Sequence, residues 1–269
     1  MKSPSLGVGQ VCACAEAQTA NARRADKESR YLRNMACPSM DDAGVCNKWT
    51  ILSHHIDRVI VACMNDSRSR GHARLCALLS CCGVGAFVVI CGAVQFLRGD
   101  LDWVAAPLSY YLLGPFGAEA IAAYLALSAG LIALGIGFRS ALIASARSGA
   151  LVLLFAVAGV ALAVTALSEP AKAHGNVLEW EAVHRFAAMT TFLCVTVAML
   201  LQSFWLRFDP RWRGRFPFAF ALAALAFIAL WIYALMHLFP SGISQKTVIA
   251  LILAWLGWAS LALLRETWR

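Results

Sequence analysis

The sequence predicts an all-α, polytopic membrane protein, a six-transmembrane-helix bundle with both termini cytoplasmic. Three observations carry this. Apolar runs of about 19–23 residues recur six times after residue 74, each long enough as an α-helix to cross a bilayer core of ~30 Å. Hydrophobic residues make up 60% of the 269-residue chain and charged residues 14%, where a soluble domain carries about 25% charge. Basic residues, finally, concentrate in alternate loops, eleven on one side of the predicted spans against four on the other.

Residues 1–63 stand apart. They hold Cys12, Cys14, Cys37, Cys46 and, at their end, Cys63, with scattered charges and no sustained period, so they are expected to be either a disordered cytoplasmic tail or a stretch ahead of a natural start at Met64. A zinc site from Cys37, Cys46, His54 and His55 is disfavoured, because structural zinc sites show close Cys-x2–4-Cys pairs. The membrane domain is expected over 64–269, with spans at about 75–97, 117–138, 149–168, 185–206, 217–239 and 246–264. The first apolar run starts too late, and is followed by too many others, to be a secretory signal. The ten cysteines suggest no disulfide framework. Cys76, Cys81, Cys82, Cys91 and Cys194 fall in apolar helices, and the rest in the segment expected to face the reducing cytosol.

Between spans one and two, Trp103, Tyr110 and Tyr111 suit the headgroup level. Leu101–Leu113 is expected to lie along the interface, bent at Pro107 and ended at Gly114-Pro115. Span two carries Gly130, Gly135 and Gly137, small residues that let helices approach closely in lipid. The second external loop, 169–184, holds Glu169, Lys172, His174, Glu179, Glu181 and His184. The third, 240–245, is short enough to make spans five and six an antiparallel hairpin.

Orientation follows from the arginines. Arg68, Arg70, Arg74, Arg139, Arg147, Arg207, Arg211, Arg213, Arg215, Arg265 and Arg269 flank one side; Arg98, Lys172, Arg185 and Lys246 flank the other. The positive-inside rule puts the richer side in the cytoplasm, as expected of a multi-pass protein of the cell (inner) membrane. It also explains the net charge of +8 without nucleic acid. The arginine-rich loop at 207–216 is better suited to anionic lipid.

Ionisable residues near a membrane are costly and few. His184 opens span four and His237 ends span five, lying 26 and 27 residues from Pro210. Equal rise along an antiparallel hairpin puts them at one depth on the external side. Glu119, Glu181 and Lys246 sit at a similar level, and Tyr233 lies one helical turn before His237. The expected site is therefore a polar ring of Glu119, Glu181, His184, Tyr233, His237 and Lys246, with Glu119 or Glu181 the carboxylate nearest the histidines. Such a ring suits several roles. It could hold helix ends together, or receive a lipid headgroup or small amphiphile. It could also ligate a metal through His184 and His237 in a membrane hydrolase, or serve haem or quinone redox chemistry. No cofactor is singled out, and the partners implied are membrane lipids and a lipid-like or small amphiphilic ligand. Phosphate loops, HExxH, Gly-x-Ser-x-Gly and Cys-x-x-Cys are all missing, and with them the common signatures of catalysis.

The order of several segments resembles the bacterial integral-membrane family of domain of unknown function 998 (DUF998), over about residues 70–265. They are LSYYLLGPFG after span one, Ser168-Glu169-Pro170, the histidine of AVHRFAA, Pro210-Arg211-Trp212, and GISQK before span six. That family's last motif more often ends in arginine, where this chain has Lys246. The resemblance implies a six-helix membrane domain and brings no activity with it.

Overall fold

The computed structural model describes the backbone of residues 48–172, 175–236 and 240–268, and side chains from Arg70 onward except Met236. Contacts divide the chain at Arg58 and Val59 into two units, and the second, Val59–Arg269, holds all six membrane-length apolar stretches of the described residues. All regular structure among the described residues is helical. The helices are α1 (Lys48–Leu97), α2 (Gly117–Ala141), α3 (Gly149–Ala171), α4 (Val177–Leu206), α5 (Phe216–Met236) and α6 (Ser241–Thr267). Among the described residues six stretches are long and apolar enough to cross a membrane, the first being Arg70–Leu97 of α1. This is the six-span, all-helical architecture expected.

The helices overrun their apolar runs. α4 begins at Val177, not 185, because Asn176 caps it: its Oδ1 accepts from the Leu178 amide at 3.1 Å, and its Nδ2 donates to Glu179 at 3.0 Å. α3 continues through Pro170 to Ala171, and α6 begins at Ser241, directly after Pro240. Most of the two expected external loops is therefore helix. α1 likewise runs back to Lys48, into the stretch expected to lack regular structure. Neither Gly nor Pro occurs between residues 48 and 70 to stop it. Residues 1–47, with Cys12, Cys14, Cys37 and Cys46, lie outside the described residues.

Close backbone contacts and buried hydroxyl bonds hold α1, α2, α3 and α6 together. A Cβ on Gly83 would stand 2.4 Å from the Ala126 carbonyl oxygen, so α1 and α2 cross at bare backbone. A Cβ on Gly159 of α3 would stand 2.7 Å from the Ser128 carbonyl oxygen of α2, and the Ser128 hydroxyl donates to the Gly159 carbonyl at 2.6 Å. Ser80 and Ser260 share a 2.7 Å hydrogen bond between α1 and α6. In lipid, such small-residue contacts and buried hydroxyl bonds drive association, because apolar burial gains nothing over the acyl chains.

α5 is packed differently. Only 17% of its most apolar window is buried, against 61% for α2. Phe218, Leu225, Ile228 and Leu235 project outward, as a lipid-facing helix requires.

At the end of the bundle where α2 meets α3 and α4 meets α5, the connections are pinned by Asp209. This residue is fully buried. Its carboxylate accepts from the Ile143 amide (3.2 Å), the Arg211 amide (3.0 Å) and the Arg211 guanidinium (3.0 and 3.2 Å). Burial works against its charge, but these donors outweigh it and hold the Asp209 pKa below the ordinary aspartate value. Arg211 also donates to the Ala141 carbonyl at 2.7 Å, and Trp212 is buried edge-on to Phe138. The Pro210-Arg211-Trp212 segment is thus a staple between two helix connections.

Candidate functional site

The opposite end of the bundle is built on one face of α3. Thr165, Ser168, Glu169 and Lys172 follow the i, i+3, i+4, i+7 spacing of a helical stripe, and the helix continues far enough past Ser168 to align all four. Pro170, without an N–H, leaves the Ala166 carbonyl without its usual helical donor near the helix end.

α4 lays its own stripe, Glu181, His184 and Arg185, beside it. His184 is buried, with Nδ1 3.0 Å from Glu169 Oε1 and 3.1 Å from both Ser168 Oγ and the Thr165 carbonyl oxygen. Lys172 donates to the same Glu169 oxygen at 2.9 Å and also to Glu181. Glu181 lies 3.7 Å from Arg185 on its other side. Burial lowers the affinity of Lys172 for its proton, yet its bonds to Glu181 and Glu169 prevail and raise its pKa. The result is a chain of alternating charge from Glu169 through Lys172 and Glu181 to Arg185, with His184 at its inner end.

His184 also lines a cleft of about 910 Å³. α4 contributes His184, Arg185, Met189 and Phe192, α5 contributes Ile232 and Tyr233, and α6 contributes Ser244, Gln245 and Val248. Pro107 and Ser109, from the segment between α1 and α2, close its rim. A smaller apolar cavity of about 70 Å³ lies further into the bundle, among Tyr124, Leu131, Leu162 and Ile252, and shares His184, Ser109, Phe192 and Gln245 with the cleft.

That rim segment is docked on the start of α6. The Ile243 amide donates to the Val104 carbonyl (2.8 Å), Gln245 Oε1 accepts from the Leu108 amide (2.9 Å), and Lys246 donates to the Trp103 carbonyl (2.5 Å). Only glycine allows this approach at 242, where a Cβ would lie 2.6 Å from the Val104 oxygen. Residues 108–112 form a 3₁₀ turn with Tyr111 buried, although it was expected at the headgroup level. Arg98 anchors the far side. It is buried and bidentate to Asp100 at 2.7 Å for both bonds, and it donates to the Leu113 carbonyl at 2.6 Å. The hydrogen bond to Asp100 is the main reason its pKa is raised.

Of the expected ring, the structure brings together Glu181, His184 and Tyr233. Glu181 joins the charge chain, and Tyr233 shares the cleft with His184. Lys246 is turned to the Trp103 carbonyl and stands over the Tyr111 ring, 5.3 Å from its centre, so it belongs to the docked rim. Glu119 is exposed at the start of α2, without a hydrogen bond or ion pair among the described residues. His237 lies outside the described residues. The pairing of His184 with His237 therefore stays an expectation from sequence, and so do the hydrolase and the haem or quinone readings that need both. No group of three or more His, Cys, Asp or Glu side chains among the described residues is placed to share a metal ion.

The expectation that Glu119 or Glu181 is the carboxylate nearest His184 is corrected: Glu169 is in direct contact with it. Ending span three at Ser168 put Glu169 in a loop. Ser168, Glu169 and Lys172 were thereby missed as site residues, and Gln245 was missed because span six was started at 246 although its helix begins at Ser241. The signal that finds the first three is the helical stripe from Thr165 to Lys172, read on through the proline.

The segments of the family resemblance acquire places. GISQK docks against the segment containing LSYYLLGPFG, Ser168-Glu169 meets the histidine of AVHRFAA, and Pro210-Arg211-Trp212 is the staple at the other end. Neither a search of curated proteins nor one of solved structures finds a significant match. The profile of the family described as protein of unknown function (DUF998) matches residues 81–262, which covers α2 to α5 whole, the latter part of the apolar stretch of α1 and most of α6; the chain belongs to that family.

Proposed function

We propose that this multi-pass membrane protein is a binding protein for a lipid-like amphiphile. In this reading the cleft opens on the external face of the inner membrane and both termini are cytoplasmic. The observation that carries the reading is the cleft itself. At about 910 Å³ it is the size of a small-molecule site. Its polarity changes along the helices: His184, Arg185, Tyr233, Ser241, Ser244 and Gln245 lie near helix ends, while Met189, Phe192, Ala229, Ile232 and Val248 line it further in. A polar head at the rim and an apolar chain between α4 and α5 match that gradient. The lightly packed α5 supports it too, since a helix held loosely in lipid can part from α4 to admit a chain.

The test is native mass spectrometry of the full chain purified in a mild detergent, with lipid extraction alongside. The expected result is an amphiphile bound one to one, and its loss in Ala234→Trp, which adds bulk to the cleft wall at an exposed position. Absence of any bound amphiphile, or undiminished binding in the variant, overturns the reading.

A further inference from the structure

Hydrogen-bond polarity in the cleft narrows the class of ligand, given the amphiphile reading above. Three atoms surround His184 Nδ1, and all three are acceptors. The Thr165 carbonyl and the Glu169 carboxylate can only accept, at 3.1 and 3.0 Å. Ser168 has one hydroxyl proton and donates it to the Thr165 carbonyl at 2.8 Å, so its oxygen too faces Nδ1 as an acceptor at 3.1 Å. In the neutral ring Nδ1 therefore carries the proton, which leaves a lone pair on Nε2. Nε2 has no hydrogen-bond partner among the described residues, and it is not one of the sealed polar atoms without a partner, which are Tyr111 Oη, Gln202 Nε2 and Trp212 Nε1. With Nδ1 turned to α3, Nε2 lies on the other edge of the ring, on a residue that lines the cleft and whose side chain is 10% exposed.

The neighbouring groups have the opposite polarity. Gln245 Oε1 already accepts from the Leu108 amide, while both N–H donors of its NH₂ group have no partner among the described residues and are left to donate. Arg185, at 70% side-chain exposure, can only donate. We infer that the cleft takes a hydroxylated amphiphile, a glycerol-like head that donates to His184 Nε2 and accepts from Gln245 and Arg185. Glu169, Ser168 and Thr165 act as positioning residues that hold the histidine in its accepting tautomer. An ester or ether head without a hydroxyl would leave Nε2 unpaired.

Two probes with the same oleoyl chain test this in the full protein. Monoolein has two hydroxyl donors; methyl oleate has none. Native mass spectrometry at about pH 8, where an ordinary imidazole is neutral, should show roughly tenfold tighter binding of monoolein. In His184→Phe that preference should vanish while methyl oleate still binds. Histidine ¹⁵N spectra of the unmodified protein, with the His184 signals assigned by difference from His184→Gln, should show the proton on Nδ1. A proton on Nε2 instead overturns the inference without reference to any ligand or to the folding of a variant. Equal binding of the two probes overturns it and leaves the amphiphile reading standing. Binding of neither removes both.

Discussion

Each end of the helical bundle buries a carboxylate, and the two are used in opposite ways. Asp209 is fully buried and saturated by two amides and one guanidinium inside a closed connection. Glu169 is almost as buried, but its oxygen is shared between Lys172 and His184, and His184 lines a cleft. The first arrangement leaves nothing for a ligand to reach. The second spends one side of an imidazole on the scaffold and leaves the other side free. Burial of a charge does not separate structural from functional roles here. The difference lies in whether its partners have capacity left over, and whether that capacity faces open space.

The comparison can be sharpened first by an all-or-none experiment. Gly99 and Gly214 both have open space around them and lie at opposite ends. With the native cysteines replaced, a thiol at Gly99 should react with an impermeant reagent from outside and one at Gly214 should not. The reverse pattern would move the cleft to the cytoplasmic face.

Next in size is Asp209→Ala. It strips the Ile143 and Arg211 amides of their acceptor and leaves the Arg211 guanidinium without its ion pair. The expected loss is about 3 kcal/mol, read as a lowered unfolding temperature in detergent. A loss below about 1 kcal/mol would show that the staple is not structural.

The two ends should also respond oppositely to pH. The folded pKa of Asp209 is lowered, so its contribution is complete above about pH 4, the unfolded value, and is lost as pH falls through the folded value. The folded pKa of Lys172 is raised, so its contribution is complete below about pH 10.4 and is lost as pH rises through the folded value. Asp209→Asn should flatten the acid limb of stability and Lys172→Met the alkaline limb. If either variant flattens the other limb, the assignment fails.

The smallest effect is expected from Glu181→Gln. Its side chain is 40% exposed, so the bonds to Lys172 and Arg185 are worth less than about 1 kcal/mol. A larger loss in thermal unfolding would mean that the charge chain is more than a partly solvated rim.

Much of this was legible in the residues. Hydropathy identified all six spans, because a membrane selects for apolar length and that property accumulates locally along the chain. Gly135 was read as a site of close approach, and in the structure a Cβ there would stand 2.9 Å from Phe155. Helix ends were less legible. Asn176, Pro170 and Pro240 act within helices or at their caps, where hydropathy falls away although the helix does not. That shortfall hid Glu169 and scattered a single helical stripe into a loop.

By itself, then, the sequence determined the number of crossings, the all-helical class, the family and the short list of polar residues near one end. Only the tertiary structure decided which of them meet. Lys246 turns to a backbone carbonyl, Glu119 faces out, and Glu169 rather than Glu181 touches His184. The reason is geometric. Each residue turns a helix by about 100°, so which side chains face each other depends on the rotation and true ends of two helices, quantities that no single apolar run encodes.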